Sequence, residues 1–208
     1  MVYNVLKRSL DISASLVLIL LFLPIWIIIP LLIRLESKGS IFFLQERVGR
    51  NRRKFNIFKF RSMILDADDY WKKNPKLYEK FKKLGWKLTL DEDPRITKLG
   101  RVLRQTSIDE FPQVFNILLG DMSLVGPRPY RFSELDDAEE RYGKHIKKSI
   151  DQSLTVKPGL TGFWQVSGRN DISWDKRAEM EADYASRKNI LDDFVIILRT
   201  PLAMISKW

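Results

Sequence analysis

Asp109 and Glu110 stand side by side in the stretch SIDEFPQ (Ser107 to Gln113) of a chain whose formal net charge is +10. Adjacent carboxylates can start a helix, hold a hard metal ion, or serve as nucleophile and base. Ser107 to Glu110 fits the S-x-x-E capping box, and Asp109 by itself fits an N-cap with Pro112 in the first turn. A carboxylate at a helix start stays ionised, because the dipole and the free amides there favour charge. The same helix end attracts phosphate oxygens. Magnesium shared between a carboxylate and a diphosphate offsets their repulsion, and an ionised Asp beside that phosphate can act as a nucleophile. Capping and catalysis are compatible here, and both stay open.

The rest of the composition narrows the chemistry. There is no cysteine, so disulfides, thiolate zinc sites and thiol nucleophiles are excluded. His145 is the only histidine, which removes Ser-His-Asp triads and HExxH zinc sites. Any metal must therefore sit on carboxylates and ligand oxygens, as magnesium does. The simplest general base is an Asp or Glu. The chain's 208 residues suffice for one domain with a sizeable core. Its basic balance points to anionic partners: phosphates, nucleic acid or an acidic membrane surface.

The elements that must position the pair begin with an uncharged apolar run, Ile12 to Ile33. Its length suits about 30 Å of hydrocarbon as a helix. No small-x-small cleavage site follows, which argues against a signal peptide. Pro24 and Pro30 each remove a donor and bend a helix. Lys7 and Arg8 precede the run while Arg34 and Lys38 follow it, so the positive-inside rule sets no direction. These features suit a helix that bends near Pro24 and returns to the same face, and they also suit a Pro-kinked spanning helix.

After the run, IFFLQ and FNIFKF read as strands of a hairpin joined through VGRNRRK. Alternation puts Lys59 and Arg61 on one face, either as edge-strand charges or as phosphate ligands. Asp66 to Lys87 interleaves Trp71, Tyr78, Phe81 and Trp86 with lysines, as expected of a segment lying at lipid headgroups. Leu99, Val102 and Leu103 have helical spacing, with Arg101 and Arg104 between them. A second helix is expected from about Asp109 to Leu119, with core positions Phe111, Val114, Phe115 and Leu118 and a stop at Gly120. GPRP (Gly126 to Pro129) must be a stiff loop carrying Arg128. SELDDAEERYGKHIKKSI reads as one surface helix, acidic first and basic last. VKPGLTGFWQVSGRN reads as a turn-rich ligand loop. The tail from Ile190 is amphipathic or apolar, suited to the core or the membrane.

Taken in order, KRSLDI, QERVGRNRRKFNIFKFRSM, DPRITKLGRVLRQTSIDEFPQ, GDMSLVGPRP and KPGLTGFWQVSGRN resemble the monotopic phosphoglycosyl transferases, the bacterial sugar transferase family, over nearly the whole chain. The resemblance implies a mostly helical α+β fold. It implies an N-terminal re-entrant membrane helix broken at Pro24 (residues 1–40), interfacial amphipathic helices, and a catalytic part at the cytoplasmic face of the bacterial inner membrane (residues 41–208). Leu23 departs from the Ser that many members carry before that proline. The family's dyad falls on Asp109 and Glu110, which implies two-step transfer with Mg2+ held at these two residues. In that scheme Asp109 attacks the β-phosphate of a UDP-sugar and UMP leaves. The phosphosugar then passes to a polyprenyl phosphate, and Glu110 holds the metal or handles the acceptor's proton. Arg104, Arg128 and the neighbouring Pro127 are the leading substrate-binding expectations, followed by Lys59, Arg61, Arg95, Arg169 and Gln165. GFWQVSGRND resembles members that transfer galactose or glucose 1-phosphate. Larger members carry further spanning helices, so a short member or a catalytic region is expected. A homodimer is left open, and no nucleic-acid partner is expected.

Two other readings compete. A membrane-anchored basic protein binding acidic lipid or nucleic acid would tolerate Asp109→Asn; a transferase would not. A glycosidase needs carboxylates about 5 Å or more apart across a sugar, which adjacent residues rarely achieve.

Overall fold

The computed structural model describes residues 2–67, 69–83, 88–168 and 172–205. The apolar run becomes two helices, α1 (Val2–Leu21) and α2 (Leu23–Glu36), and the chain turns by 65° at the break between them. Pro24 accounts for the position of the break. It lacks an N–H, and in a continuous helix its ring would strike the carbonyl of Leu20; in the first turn of a new helix it does neither harm. Pro30, by contrast, lies within α2 without ending it. No single described helix is long and apolar enough to cross a membrane, but the bent pair meets that requirement together.

The hairpin forms as expected. Strands β1 (Phe42–Val48) and β2 (Lys54–Phe60) pair across a 3-10 turn at Arg50–Arg52. Further on lie α3 (Asp69–Lys73), α4 (Pro75–Lys83) and α5 (Lys98–Gln105). Then come α6 (Gln113–Leu119), β3 (Ser123–Val125), α7 (Phe132–Tyr142) and α8 (Lys144–Ser153). The chain continues through β4 (Gly159–Thr161), α9 (Phe163–Val166), α10 (Trp174–Arg187) and α11 (Ile190–Ile205). The fold is thus mostly helical with two small sheets. It divides into a larger unit (residues 1–23, 44–58 and 112–208) and a smaller one (24–43 and 59–111).

The smaller unit packs Ile29 and Ile33 of α2 against Phe60 and Leu103, with Trp26, Leu99, Ile108 and Phe111 around them. α5 starts at Thr97, whose hydroxyl accepts the Gly100 amide at 2.9 Å. A Cβ on Gly100 would lie 2.0 Å from the Ser62 carbonyl oxygen, so the chain after β2 meets this helix at backbone contact. Leu103 turns inward, while Val102 is exposed. Within the aromatic segment three rings and one arginine form a cluster. Trp71 stacks on Phe81 at 4.7 Å and lies 5.4 Å from Tyr78, and the Arg95 guanidinium covers Trp71 at 3.9 Å. Ring stacking and the cation–π attraction draw these side chains together. Trp86 lies outside the described residues.

In the larger unit the expected single helix over Ser133 to Ile150 is two, α7 and α8. Gly143 between them has φ +71°, a conformation that breaks helical hydrogen bonding. The expected loop after Val156 contains a strand instead. β4 runs parallel to β3, with Ser123 opposite Gly159 and Val125 opposite Thr161. The helix before Gly120 starts at Gln113 and not near Asp109, and it buries Gln113, Val114, Asn116 and Ile117. Phe111, Phe115 and Leu118, expected in its core, are half-buried. The buried face turns because Asn116 bridges to β2: its Oδ1 accepts the Phe58 amide at 2.9 Å and its Nδ2 donates to the Asn56 carbonyl at 2.8 Å.

α1 packs into the larger unit through a polar stripe four residues apart. The Lys7 ammonium lies 2.9 Å from the buried Asp193 carboxylate of α11, and the Tyr3 hydroxyl donates to the same group at 3.3 Å. Asp11 accepts the Ser123 hydroxyl and the Leu124 amide, each at 2.9 Å, and Ser15 is buried further along the stripe. Arg8 donates to the last carbonyls of α6, Ile117 at 2.5 Å and Leu118 at 2.7 Å. Leu10, Ala14 and Leu18 fill the core alongside. Val5, Leu16, Val17 and Leu20 point outward, Leu20 being 72% exposed.

Asn116→Leu keeps the branching and heavy-atom count of this side chain but leaves an amide and a carbonyl of β2 without their partner. Thermal and denaturant unfolding of the detergent-solubilised protein are expected to show a loss of about 2 kcal/mol.

Candidate active site

Asp109 lies in a 3-10 turn, Ile108–Glu110, three residues before α6 begins. The turn closes through Glu110 N to Ser107 O at 3.2 Å and Phe111 N to Ile108 O at 3.1 Å. Ser107 is held at φ +56°, an uncommon conformation for a residue with a Cβ. Its side chain makes no capping bond, and Pro112 occupies the N-cap position of α6. Neither expected capping register therefore forms. Ile108 and Phe111 flank the dyad and pack into the apolar cluster of the smaller unit, so two hydrophobic anchors hold the turn. A strained turn pinned on both sides is a common way to aim a functional side chain.

The carboxyl group of Asp109 is buried, with the residue only 6% exposed. Burial pushes its pKa up to about 6, against the pull of Lys59, with the Glu110 charge adding to the rise and Arg104 opposing it. The expected fully ionised cap is thus replaced by a carboxylate that titrates close to neutral pH. Glu110 is more exposed and accepts from the Lys59 ammonium at 2.6 Å.

The other basic side chains of the smaller unit divide by what they touch. Arg104 is half-buried and donates to the Ser62 hydroxyl at 2.9 Å; burial lowers its pKa, while the Asp109 charge raises it. Arg61 lies beyond the end of β2, so it does not share a working face with Lys59. It donates to the Ser37 and Lys38 carbonyls at 2.8 and 3.0 Å, satisfying the backbone just past α2. Arg95 holds Asp93 through two bonds of 2.8 and 2.7 Å besides covering Trp71. Lys59 and Arg104 are accordingly the cations whose charge acts on Asp109.

The larger unit holds Pro127, Arg128 and Gln165. The Pro127 carbonyl accepts the Gly159 amide at 2.8 Å, and the Arg128 amide donates to the Glu181 carboxylate at 2.7 Å. Gln165 of α9 donates to the Leu160 carbonyl of β4 at 3.4 Å. Arg169 lies outside the described residues.

Ser62, Tyr130 and Glu181 were not among the residues singled out by sequence. Glu181 left one signal: it occupies the centre of the buried face of α10, between Ala178 and Ala185. Burial pushes its pKa up to about 7, opposed by the Arg128 amide, the Tyr130 hydroxyl and the charges of Arg177 and Arg128.

Among the described residues no group of three or more His, Cys, Asp or Glu side chains could hold a metal. The two adjacent carboxylates still suit magnesium, which commonly takes one or two protein carboxylates and completes its shell with substrate phosphate and water.

Residues 2–207 match the family model described as bacterial sugar transferase. The exopolysaccharide production protein ExoY of Rhizobium meliloti is 38% identical over 97% of this chain and 86% of its own length. The undecaprenyl-phosphate galactose phosphotransferase of Salmonella typhimurium is 37% identical over 97% of this chain, and the galactosyl transferase CpsE of Streptococcus agalactiae is 42% identical over 93%. The matched segment spans 41% of each of these two longer proteins.

Titration of 13C-labelled aspartate in the detergent-solubilised protein is expected to show one carboxyl with a midpoint near 6, lost in Asp109→Asn. Lys59→Met removes an attraction and moves that midpoint up. Glu110→Gln removes a repulsion and moves it down.

Proposed function

The chain belongs to the bacterial sugar transferase family and is a phosphoglycosyl transferase, and from that premise we propose the following reaction. A hexose 1-phosphate moves from a UDP-sugar to a polyprenyl phosphate, with Asp109 as nucleophile. The observation that carries this reading is Asp109 itself: a buried carboxylate on a pinned turn, with the charges of Lys59 and Arg104 acting on it. Desolvation strips the carboxylate of water, which favours attack on phosphorus once the group is ionised.

In the first step a carboxylate oxygen of Asp109 forms a bond to the β-phosphorus, the bridging P–O bond breaks, and UMP departs with the electron pair. In the second step an oxygen of the polyprenyl phosphate attacks the same phosphorus. The acyl phosphate bond breaks, Asp109 returns to carboxylate, and a polyprenyl diphosphate sugar is released. Lys59 and Arg104 oppose the build-up of negative charge, and Arg128 with Pro127 serves the nucleotide side of the donor. Asp109 and Glu110 would hold a magnesium ion, which when bound neutralises diphosphate charge. Arg61 and Arg95 act as structural cations in this account, since carbonyls and Asp93 already occupy them. Galactose or glucose is the sugar we favour, in line with the names of two relatives that specify galactose.

Residues 1–40 serve as a membrane anchor that enters and leaves on one face. The support is physical: α1 directs its polar stripe into the protein and much of its apolar surface outward, an arrangement that suits lipid better than water. The acceptor is itself a lipid, so an enzyme held at the bilayer surface meets it there.

Purified protein given UDP-galactose, UDP-glucose and UDP-N-acetylglucosamine with polyprenyl phosphate and magnesium is expected to release UMP from one of the first two. Silence across the panel would overturn the proposal. Asp109→Asn is expected to abolish release, and quenched wild-type protein to carry a hexose phosphate on the peptide containing Asp109. Because only the ionised carboxylate attacks, kcat/KM should fall about tenfold per pH unit below roughly 6 and level off above it. For the anchor, single cysteines at Asn4 and Ser40 are expected to label from the same side of a vesicle; opposite sides would reject the re-entrant path.

A further inference from the structure

The backbone between Gly126 and Tyr130 is tied down at nearly every residue. Gly126 N donates to the Thr161 carbonyl at 2.9 Å, and the Pro127 carbonyl accepts the Gly159 amide. Arg47 donates to the Pro129 carbonyl at 3.1 Å, and the Tyr130 carbonyl accepts the Val48 amide at 2.9 Å. A Cβ on Gly126 would lie 2.4 Å from the Lys157 carbonyl oxygen, so the loop is pressed against the chain leading into β4.

One tie in this set is costly. Glu181 is only 1% exposed, and it reaches the loop from the buried face of α10. One carboxylate oxygen accepts the Arg128 amide at 2.7 Å, and the other accepts the Tyr130 hydroxyl. An apolar residue at that position, flanked by Ala178 and Ala185, would satisfy the packing without the penalty of burying a carboxylate. The two bonds fall on either side of Pro129 and so fix the direction in which the chain leaves Arg128.

We propose that Glu181 is a positioning residue for Arg128: by gripping the Arg128 amide and the Tyr130 hydroxyl together, it holds the arginine in the orientation that binds the anionic donor. This rests on the reading of Arg128 as a donor-binding residue. Glu181 touches no substrate; its effect passes through the loop.

The test is a double-mutant cycle on the detergent-solubilised 208-residue chain, reading kcat and the KM for the UDP-sugar. Arg128→Ala is expected to raise that KM. Glu181→Met keeps the volume and loses both acceptors; it is expected to raise the KM about tenfold with kcat little changed, as loss of hydrogen bonds to a charged group would. Glu181→Gln can accept from the amide and donate to the hydroxyl, and is expected to restore the wild-type KM within about threefold. Adding Glu181→Met to Arg128→Ala should raise the KM no further. Tyr130→Phe removes one of the two bonds without touching the helix, and is expected to show a smaller rise that also vanishes in the Arg128→Ala background; it carries the test if Glu181→Met does not fold. If Arg128→Ala raises the KM but the Glu181 or Tyr130 effects are absent, or add fully to it, the positioning role is wrong while the donor reading stands. If Arg128→Ala leaves the KM unchanged, the donor reading falls, and the positioning role falls with it.

Discussion

The fold depends on how α1 meets its two environments. Towards the protein α1 turns the half-buried Tyr3 and Lys7 and the buried Asp11 and Ser15, alongside Leu10, Ala14 and Leu18, and it leaves Val5, Leu16 and Leu20 outside. Tyr3, Lys7 and Asp11 each have a partner there, whereas the buried Ser15 hydroxyl has none among the described residues. Lys7 balances the buried charge of Asp193, Arg8 donates to two carbonyls in the last turn of α6, and Asp11 takes an amide and a hydroxyl from β3. Packing against three elements through hydrogen bonds gives the helix a defined azimuth, which apolar contact alone sets less sharply. That azimuth determines which residues of α1 are left exposed.

The smaller unit applies the opposite logic to Asp109. There a carboxylate is drawn into an apolar setting by Ile108 and Phe111 and kept there by nearby positive charge. Burial costs free energy that the protein tolerates because the cations partly offset it. The result is a group with little water around it that still ionises near neutral pH. Glu181 in the larger unit shows the same pattern: a buried carboxylate kept by directed bonds where an apolar side chain would pack as well. In both places a polar group sits where stability alone would not put it, and in both it lies at or beside a residue assigned to substrate.

Sequence reading succeeded where the signal was local. The break at Pro24, the hairpin over residues 42–60 and the stop at Gly120 all follow from backbone limits or from residue type. It failed where a side chain had two uses and a distant partner chose between them. Arg61 and Lys59 alternate as strand neighbours should, yet Arg61 goes to the chain after α2 and Lys59 to Glu110. Arg95 joins Trp71 and Phe81 from so far along the chain that no periodicity announces their cluster. β4 was hidden inside a turn-rich stretch, because a three-residue strand carries no alternation and needs β3 to exist at all.

What the sequence determined by itself was the chemistry available. With no cysteine and one histidine, any metal must sit on oxygen ligands and the strongest candidates for nucleophile and base are carboxylates; the uncharged run fixed the need for an apolar environment. What only the tertiary structure decided was the state of each group. Whether Asp109 caps a helix or sits desolvated, and which arginines are already engaged, depends on atoms brought from remote positions in the chain. Electrostatic energies vary with burial and distance, and neither is encoded in residue type or spacing.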